Sequence, residues 1–138
     1  MKNQNNVAFH KLVIVGALTA LFFLGAPKSA LAHARLERSS PAADSEAAKA
    51  PAQIELWFSE LLDDGFNSIS VFAAADTDPK TRKNLALGDA KVDAKDRTHL
   101  INAVNPLPPG DYVVEWRVLS LDGHSAPGKF KFKVSAAK

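Results

Sequence analysis

The sequence predicts an all-β domain, a small Greek-key sandwich or barrel. Three observations predict it. Several stretches alternate apolar and polar residues with a period of two, which is the pattern of a half-buried strand. Turn signals rich in Gly, Pro and Asp separate them. No stretch after residue 32 has the 3.6-residue spacing of an amphipathic helix, so the elements fit neither a bundle nor an α/β fold.

Taken in order, residues 34–39 place Leu36 among Arg35, Glu37 and Arg38, as in a short edge strand that Ser40-Pro41 ends. Residues 42–52 are alanine-rich and broken by Pro51, and they predict an irregular connection with at most one helical turn. Residues 53–60 alternate, with Ile54, Leu56 and Phe58 on one side and Glu55, Trp57 and Ser59 on the other. Asp63-Asp64-Gly65 is a turn, and residues 67–73 alternate again through Ile69, Val71 and Ala73. Residues 74–83, with Asp78-Pro79, predict a surface loop.

Leu85 and Leu87 predict a short strand, Gly88-Asp89 a turn, and residues 91–93 another strand. Residues 97–104 place His99, Ile101 and Ala103 on one face and Leu100 and Val104 on the other. The proline-dense segment 105–110 is a corner, because no central strand holds that many prolines. Residues 112–121 are the longest apolar strand and so belong in the centre of a sheet. Val114, Trp116 and Val118 share one face, and Val113, Leu119 and Leu121 the other. Residues 122–128 form a loop. The last strand alternates Lys129, Lys131 and Lys133 with Phe130, Phe132 and Val134, burying the aromatic face and keeping the lysines in water. Trp57 and Trp116 are expected in the core or at its rim.

The first 32 residues read differently. Lys2 and Lys11 precede an almost wholly apolar run over 12–24, and Ala30-Leu31-Ala32 has small residues where signal peptidase reads them. The run is shorter than the roughly 20 apolar residues of a membrane-spanning helix. Residues 1–32 are therefore expected to be a cleaved signal peptide, leaving 33–138 as one exported domain with no stable membrane insertion. Lys2, Lys11 and Lys28 leave with it, so the 17 basic residues fall to 14 against 15 acidic ones. A near-neutral chain has no electrostatic footprint for nucleic acid or anionic lipid. The chain has no cysteine and a single methionine, Met1, which also leaves. Without thiolate or thioether, the mature domain lacks the soft ligands that select Cu(I), and any metal must be held by nitrogen and oxygen.

Cleavage after Ala32 makes His33 the N-terminal residue, whose free α-amine and imidazole can chelate one ion. His124 adds a third nitrogen and Asp122 an anionic oxygen. This set suits the tetragonal preference of Cu(II), and zinc could use the same ligands in a tetrahedral arrangement. The Asp-x-His spacing sends both side chains the same way from an extended segment, while Gly123 permits a bend. His99 is expected at the surface or rim with no ligand role. Asp63, Asp64, Asp76 and Asp78 lack the oxygen spacing of a calcium loop. No nucleophile elbow, zinc-protease helix or phosphate loop appears, and Ser40, Ser120 and Ser125 have no base arranged beside them.

His33-Ala34-Arg35-Leu36, Ser40-Pro41-Ala42, Ala50-Pro51 and Leu56-Trp57-Phe58-Ser59-Glu60 resemble the N-terminal half of CopC-type periplasmic copper-binding proteins. The segment 106–112, Val114-Glu115-Trp116-Arg117, Ser120-Leu121-Asp122-Gly123-His124 and residues 128–132 resemble the C-terminal half, in the family's order. The resemblance implies a β-barrel or sandwich of cupredoxin-like or immunoglobulin-like topology. It implies one Cu(II) per chain held by His33, Asp122 and His124. Glu60, which ends the Phe-Ser-Glu motif, reads either as an outer acceptor for the amine or a ring N–H or as a solvent-exposed strand-end carboxylate. The methionine-rich Cu(I) site of some members is not expected here.

Three functions compete. The first is a periplasmic Cu(II) carrier or buffer in copper homeostasis or resistance, not an enzyme, that hands the ion to an inner-membrane transporter of the CopD type. The second is a copper-dependent oxidative enzyme, since the histidine chelate also resembles that of lytic polysaccharide monooxygenases. Asp122 counts against it by filling an otherwise open position. The third is a metal-free interaction module, in which added Cu(II) leaves thermal stability unchanged.

Overall fold

The computed structural model describes residues 34–136. The signal peptide expected over 1–32 and the proposed ligand His33 lie outside the described residues. Eight strands form two four-stranded sheets: β1 (Leu36–Ser40), β2 (Glu46–Ala47), β3 (Gln53–Phe58), β4 (Ser68–Ala73), β5 (Ala86–Val92), β6 (His99–Val104), β7 (Gly110–Leu119) and β8 (Ser125–Val134). One sheet has the order β1-β3-β6-β5 and the other β2-β8-β7-β4. The expected all-β sandwich is therefore what the chain forms.

The period of two sets which faces meet. Ile54, Leu56 and Phe58 from β3 and Leu100 and Val104 from β6 are buried against Ile69 and Val71 of β4, Val114 and Val118 of β7, and Phe130, Phe132 and Val134 of β8. β7 lies between β4 and β8, in the centre of its sheet as its apolar sequence predicts. Trp116 points inward across Gly128, its register partner, and meets Phe58 and Phe130 edge-on or tilted. A Cβ at Gly128 would run into the Trp116 ring, which is why glycine stands there.

Four expectations need correction. The connection 42–52 contains β2, a two-residue strand parallel to the end of β8, because the backbone of Ser45 and Ala47 satisfies groups of Lys133 and Ser135 on the β8 edge. The two short strands foreseen on either side of Gly88 are one strand, β5, with a bulge between Leu87 and Lys91. Gly88 takes the left-handed region at φ 64°, but the chain continues along β6 and does not reverse. Leu121 is not part of β7 and is 54% exposed, because the chain turns after Leu119. His99, expected at the surface or rim, is buried although it lies on the outer face at the start of β6, for a reason given below.

The segment 74–83 is a surface loop, as expected. Arg82 ties it down with a bidentate pair to Glu115, at 2.7 and 2.8 Å, while its guanidinium covers the Phe72 ring. No helix among the described residues is long and apolar enough to cross a membrane.

Candidate metal centre

The chain order and the antiparallel pairings bring several strand ends to one end of the sandwich. Among them are the start of β1, the end of β3, the start of β6, the start of β4, the end of β7 and the start of β8. Ala34 is 6% exposed and belongs to the core there. The backbone N–H of Arg35 donates to Ser59 Oγ at 3.0 Å, and the Ser59 N–H donates to the Arg35 carbonyl at 2.9 Å. The chain therefore enters the domain beside Ser59 and Glu60. Glu60 is half-buried in a bend just past β3.

The connection from β7 to β8 carries the other expected ligands. Ser120 pairs with Leu62 in an isolated antiparallel bridge, and Leu121 and Asp63 bond to Leu61 and Leu119 on either side of it. The opposing segment is fixed in turn: Arg97 Nη2 donates to the Leu62 carbonyl at 2.6 Å, and Asn67 Oδ1 accepts from the Leu119 N–H at 2.8 Å. Beyond Ser120 the chain makes a tight turn in which the Gly123 N–H donates to the Ser120 carbonyl and the Ser120 N–H to the His124 carbonyl. Gly123 has φ 86°, so the bend that glycine permits is the conformation adopted, and not the extended segment.

This turn brings the two side chains together. His124 Nδ1 lies 3.0 Å from Asp122 Oδ2, with the His124 side chain 58% and the Asp122 side chain 35% exposed. The other carboxylate oxygen, Oδ1, accepts from Ser120 Oγ at 2.6 Å and from the His124 N–H at 3.0 Å. These donors, Ser120 first and then the backbone and ring of His124, hold the Asp122 carboxyl down to about 2. The result is a fixed anion beside an accessible imidazole, a hard oxygen and a borderline nitrogen of the kind divalent transition metals take. Among the described residues no three His, Cys, Asp or Glu side chains converge on one point. Glu60 therefore does not join Asp122 and His124 in a common cluster.

His99 stands in a different place. It is 7% exposed although it points to the outer face of its sheet. Its ring stacks on Trp57, with centroids 4.1 Å apart and planes 9° off parallel, and Arg38 lies 3.6 Å over the same indole. Nε2 lies 3.0 Å from Glu55 Oε2, though not aligned as a hydrogen bond, and Nδ1 lies 3.6 Å from Asp93 Oδ2. The two carboxylates approach different nitrogens of the ring.

Sequence reasoning included Ser120 in the stretch that resembles the family and found no base beside it, but did not foresee its contact with Asp122. Ser120 is 1% exposed, and it continues the inward register of Tyr112, Val114 and Val118. A small polar residue at an inward position of an apolar strand was the available signal.

The CopC domain family matches residues 36–135. The chain is 34% identical to "Copper transport protein CutJ" of Bacillus subtilis over 123 residues, covering 85% of this chain but 21% of that protein, so it spans about a fifth of that relative. It is 37% identical to "Copper resistance protein C" of Pseudomonas syringae pv. tomato, covering 86% of this chain and 94% of that one. Among solved structures, that of CopC from Methylosinus trichosporium OB3b superposes with a TM-score of 0.66 at 32% identity, covering 75% of this chain and 94% of the other. With the two-sheet sandwich, the fixed Asp122–His124 turn and a match over nearly all the described residues, the chain belongs to the CopC family.

Proposed function

We propose that the protein binds one Cu(II) at this end of the sandwich and acts as a periplasmic copper carrier or buffer in copper homeostasis or resistance. The ligands are the α-amine and imidazole of His33, freed by cleavage after Ala32, together with Asp122 and His124. The observation that carries this reading is the Asp122–His124 pair, held 3.0 Å apart at the same end of the fold as Ala34, one peptide bond after His33. Two donors alone make a weak site. A chelating N-terminus arriving beside them supplies the nitrogen-rich set that Cu(II) prefers.

Glu60, next to the point where the chain enters, is the outer acceptor for the amine or a ring N–H. With no cysteine and no methionine after Met1, the site has only nitrogen and oxygen to offer and favours Cu(II) over Cu(I). The carboxylate beside the histidine supports holding an ion over activating oxygen, which needs an open coordination position. The relatives' names, copper resistance protein C and copper transport protein CutJ, support a copper-handling role. The length of CutJ supports transfer to a larger transport protein, such as an inner-membrane transporter of the CopD type.

The deciding experiment is a Cu(II) titration followed by electron paramagnetic resonance, on protein beginning at His33 and on protein with one extra residue ahead of it. The expected result is one tightly bound ion in a tetragonal, nitrogen-rich site in the first form, and loss of much of that affinity in the second. Equal binding by both forms, or binding by neither, overturns the reading.

A further inference from the structure

Three polar or charged side chains are buried among the described residues: His99, Asn102 and Ser120. His99 belongs to the outer-face stack, and Asn102 Nδ2 reaches the carbonyls of Ile69 and Gly88 across the sandwich. Ser120 alone touches the candidate metal centre. Its Oγ lies 2.6 Å from Asp122 Oδ1 and 3.0 Å from the His124 carbonyl. A hydroxyl has one proton to give. The shorter contact, to an ionised acceptor, is the stronger bond and takes it.

The consequence lies in how a carboxylate rotates. The terminal torsion of an aspartate is broad and roughly two-fold, so an unrestrained carboxylate presents either oxygen. Here Oδ1 is occupied by Ser120 Oγ–H and the His124 N–H, and Oδ2 is the oxygen that faces the His124 ring. We infer that Ser120 is a positioning residue of the copper site: its buried hydroxyl locks the Asp122 carboxylate so that Oδ2 is presented beside His124. This rests on the copper reading above and adds the residue that sets its geometry. The bridge to Leu62, which is fully buried, fixes Ser120 in turn, so the rigidity of the core reaches the site through one side chain.

The test compares Ser120→Ala, Asp122→Ala, their combination and His124→Ala, all beginning at His33, by competition titration with a Cu(II) chelator and by electron paramagnetic resonance. Loss of an outer partner of a metal ligand costs roughly 10- to 100-fold in affinity. Ser120→Ala is expected to bind Cu(II) about tenfold more weakly, with a changed parallel hyperfine splitting. In the Asp122→Ala background the same change costs less than about twofold, because there is no carboxylate left to position.

Wild-type affinity and spectrum in Ser120→Ala overturn the inference, as does an equal loss in the Asp122→Ala background, which would assign the effect to the fold. Wild-type binding by His124→Ala instead overturns the copper reading itself. Should Ser120→Ala not fold, the unsubstituted apoprotein decides. A hydroxyl locked to a carboxylate gives a slowly exchanging, downfield proton resonance that Asp122→Ala abolishes, and its absence from the unsubstituted protein overturns the inference.

Discussion

His124 and His99 each stand beside carboxylate, yet the fold uses them in opposite ways. His124 sits on a turn at the end of the sandwich, more than half exposed, with one carboxylate at its Nδ1. His99 opens β6 on the outer face of its sheet, its ring covered by Trp57 and a carboxylate near each nitrogen. The difference teaches that a histidine near acids is not thereby a metal ligand. What separates the two is access and convergence. Around His124 a single carboxylate faces a largely exposed ring, at the end of the fold where Ala34 enters. Around His99 the neighbours come from within the sheet, through the register pairs Arg38–Trp57 and Trp57–His99, and point at the ring from two sides.

The largest expected effect is the sharpest test of that contrast. On the proposed function, His124→Ala removes a Cu(II) ligand and should weaken binding by more than the roughly 10- to 100-fold that losing an outer partner costs, with little change in the melting temperature of the apoprotein. His99→Ala should do the reverse. It leaves Glu55 and Asp93 without the ring between them and opens a void beside Trp57, which costs about 2–3 kcal/mol, a drop in melting temperature on the order of 10 °C for a domain of this size. Its copper affinity should stay within about twofold of the parent. Calorimetry of the apoproteins and chelator competition measure the two quantities, and a copper defect in His99→Ala would break the distinction.

Acidity separates the roles within the candidate site. The Asp122 carboxyl is held at about 2 in the folded protein, below its ordinary value near 3.9. A lowered folded-state value contributes stability above the unfolded value and loses it as pH falls through the folded one. For Asp122 that window runs from about pH 4 down to about 2. Between pH 7 and 5 the carboxylate therefore exchanges no proton, and any loss of copper there comes from protons competing for the nitrogen ligands. The factor by which Asp122→Asn weakens binding should be the same at pH 7 and pH 5 within about twofold. A factor that collapses at pH 5 would show that the carboxylate titrates with the nitrogens.

The same contrast explains which features were legible in the sequence. Strand periodicity is local, so β3, β4, β6, β7 and the lysine–phenylalanine alternation of β8 could be read directly, and Asp122-Gly123-His124 drew attention as a turn. Burial by neighbours is not local. His99 was assigned to the correct face, but nothing in residues 97–104 shows that Trp57 from the adjacent strand lies over it. Gly88 announced a change of direction, and only the pairing with β6 reveals a bulge in place of a reversal. β2 has no pattern of its own, since two residues against the end of β8 need only an available edge. Ser120 was visible as a polar residue in an inward register, but its partner two residues away becomes evident only once Gly123 bends the chain back. His33, Asp122 and His124 were brought forward by their chemistry and by family resemblance, and the fold then paired Asp122 with His124.

The smallest effect tests whether the two regions are linked through β1. Arg38 lies over Trp57 from β1, the strand that follows directly on the entering chain. A guanidinium stacked on an indole at an exposed site is worth about 0.5–1 kcal/mol, so Arg38→Ala should lower the stability of the apoprotein by about that amount. Between Arg38 and the site, however, Leu36 pairs with Phe58, and Arg35 and Ser59 exchange two hydrogen bonds. These contacts hold the entering segment whether or not the stack is present, and copper affinity should not change. If chelator competition shows Arg38→Ala weakening copper binding severalfold, then the outer-face stack sets the position of the entering chain. The two histidine regions would then act as one unit coupled through β1.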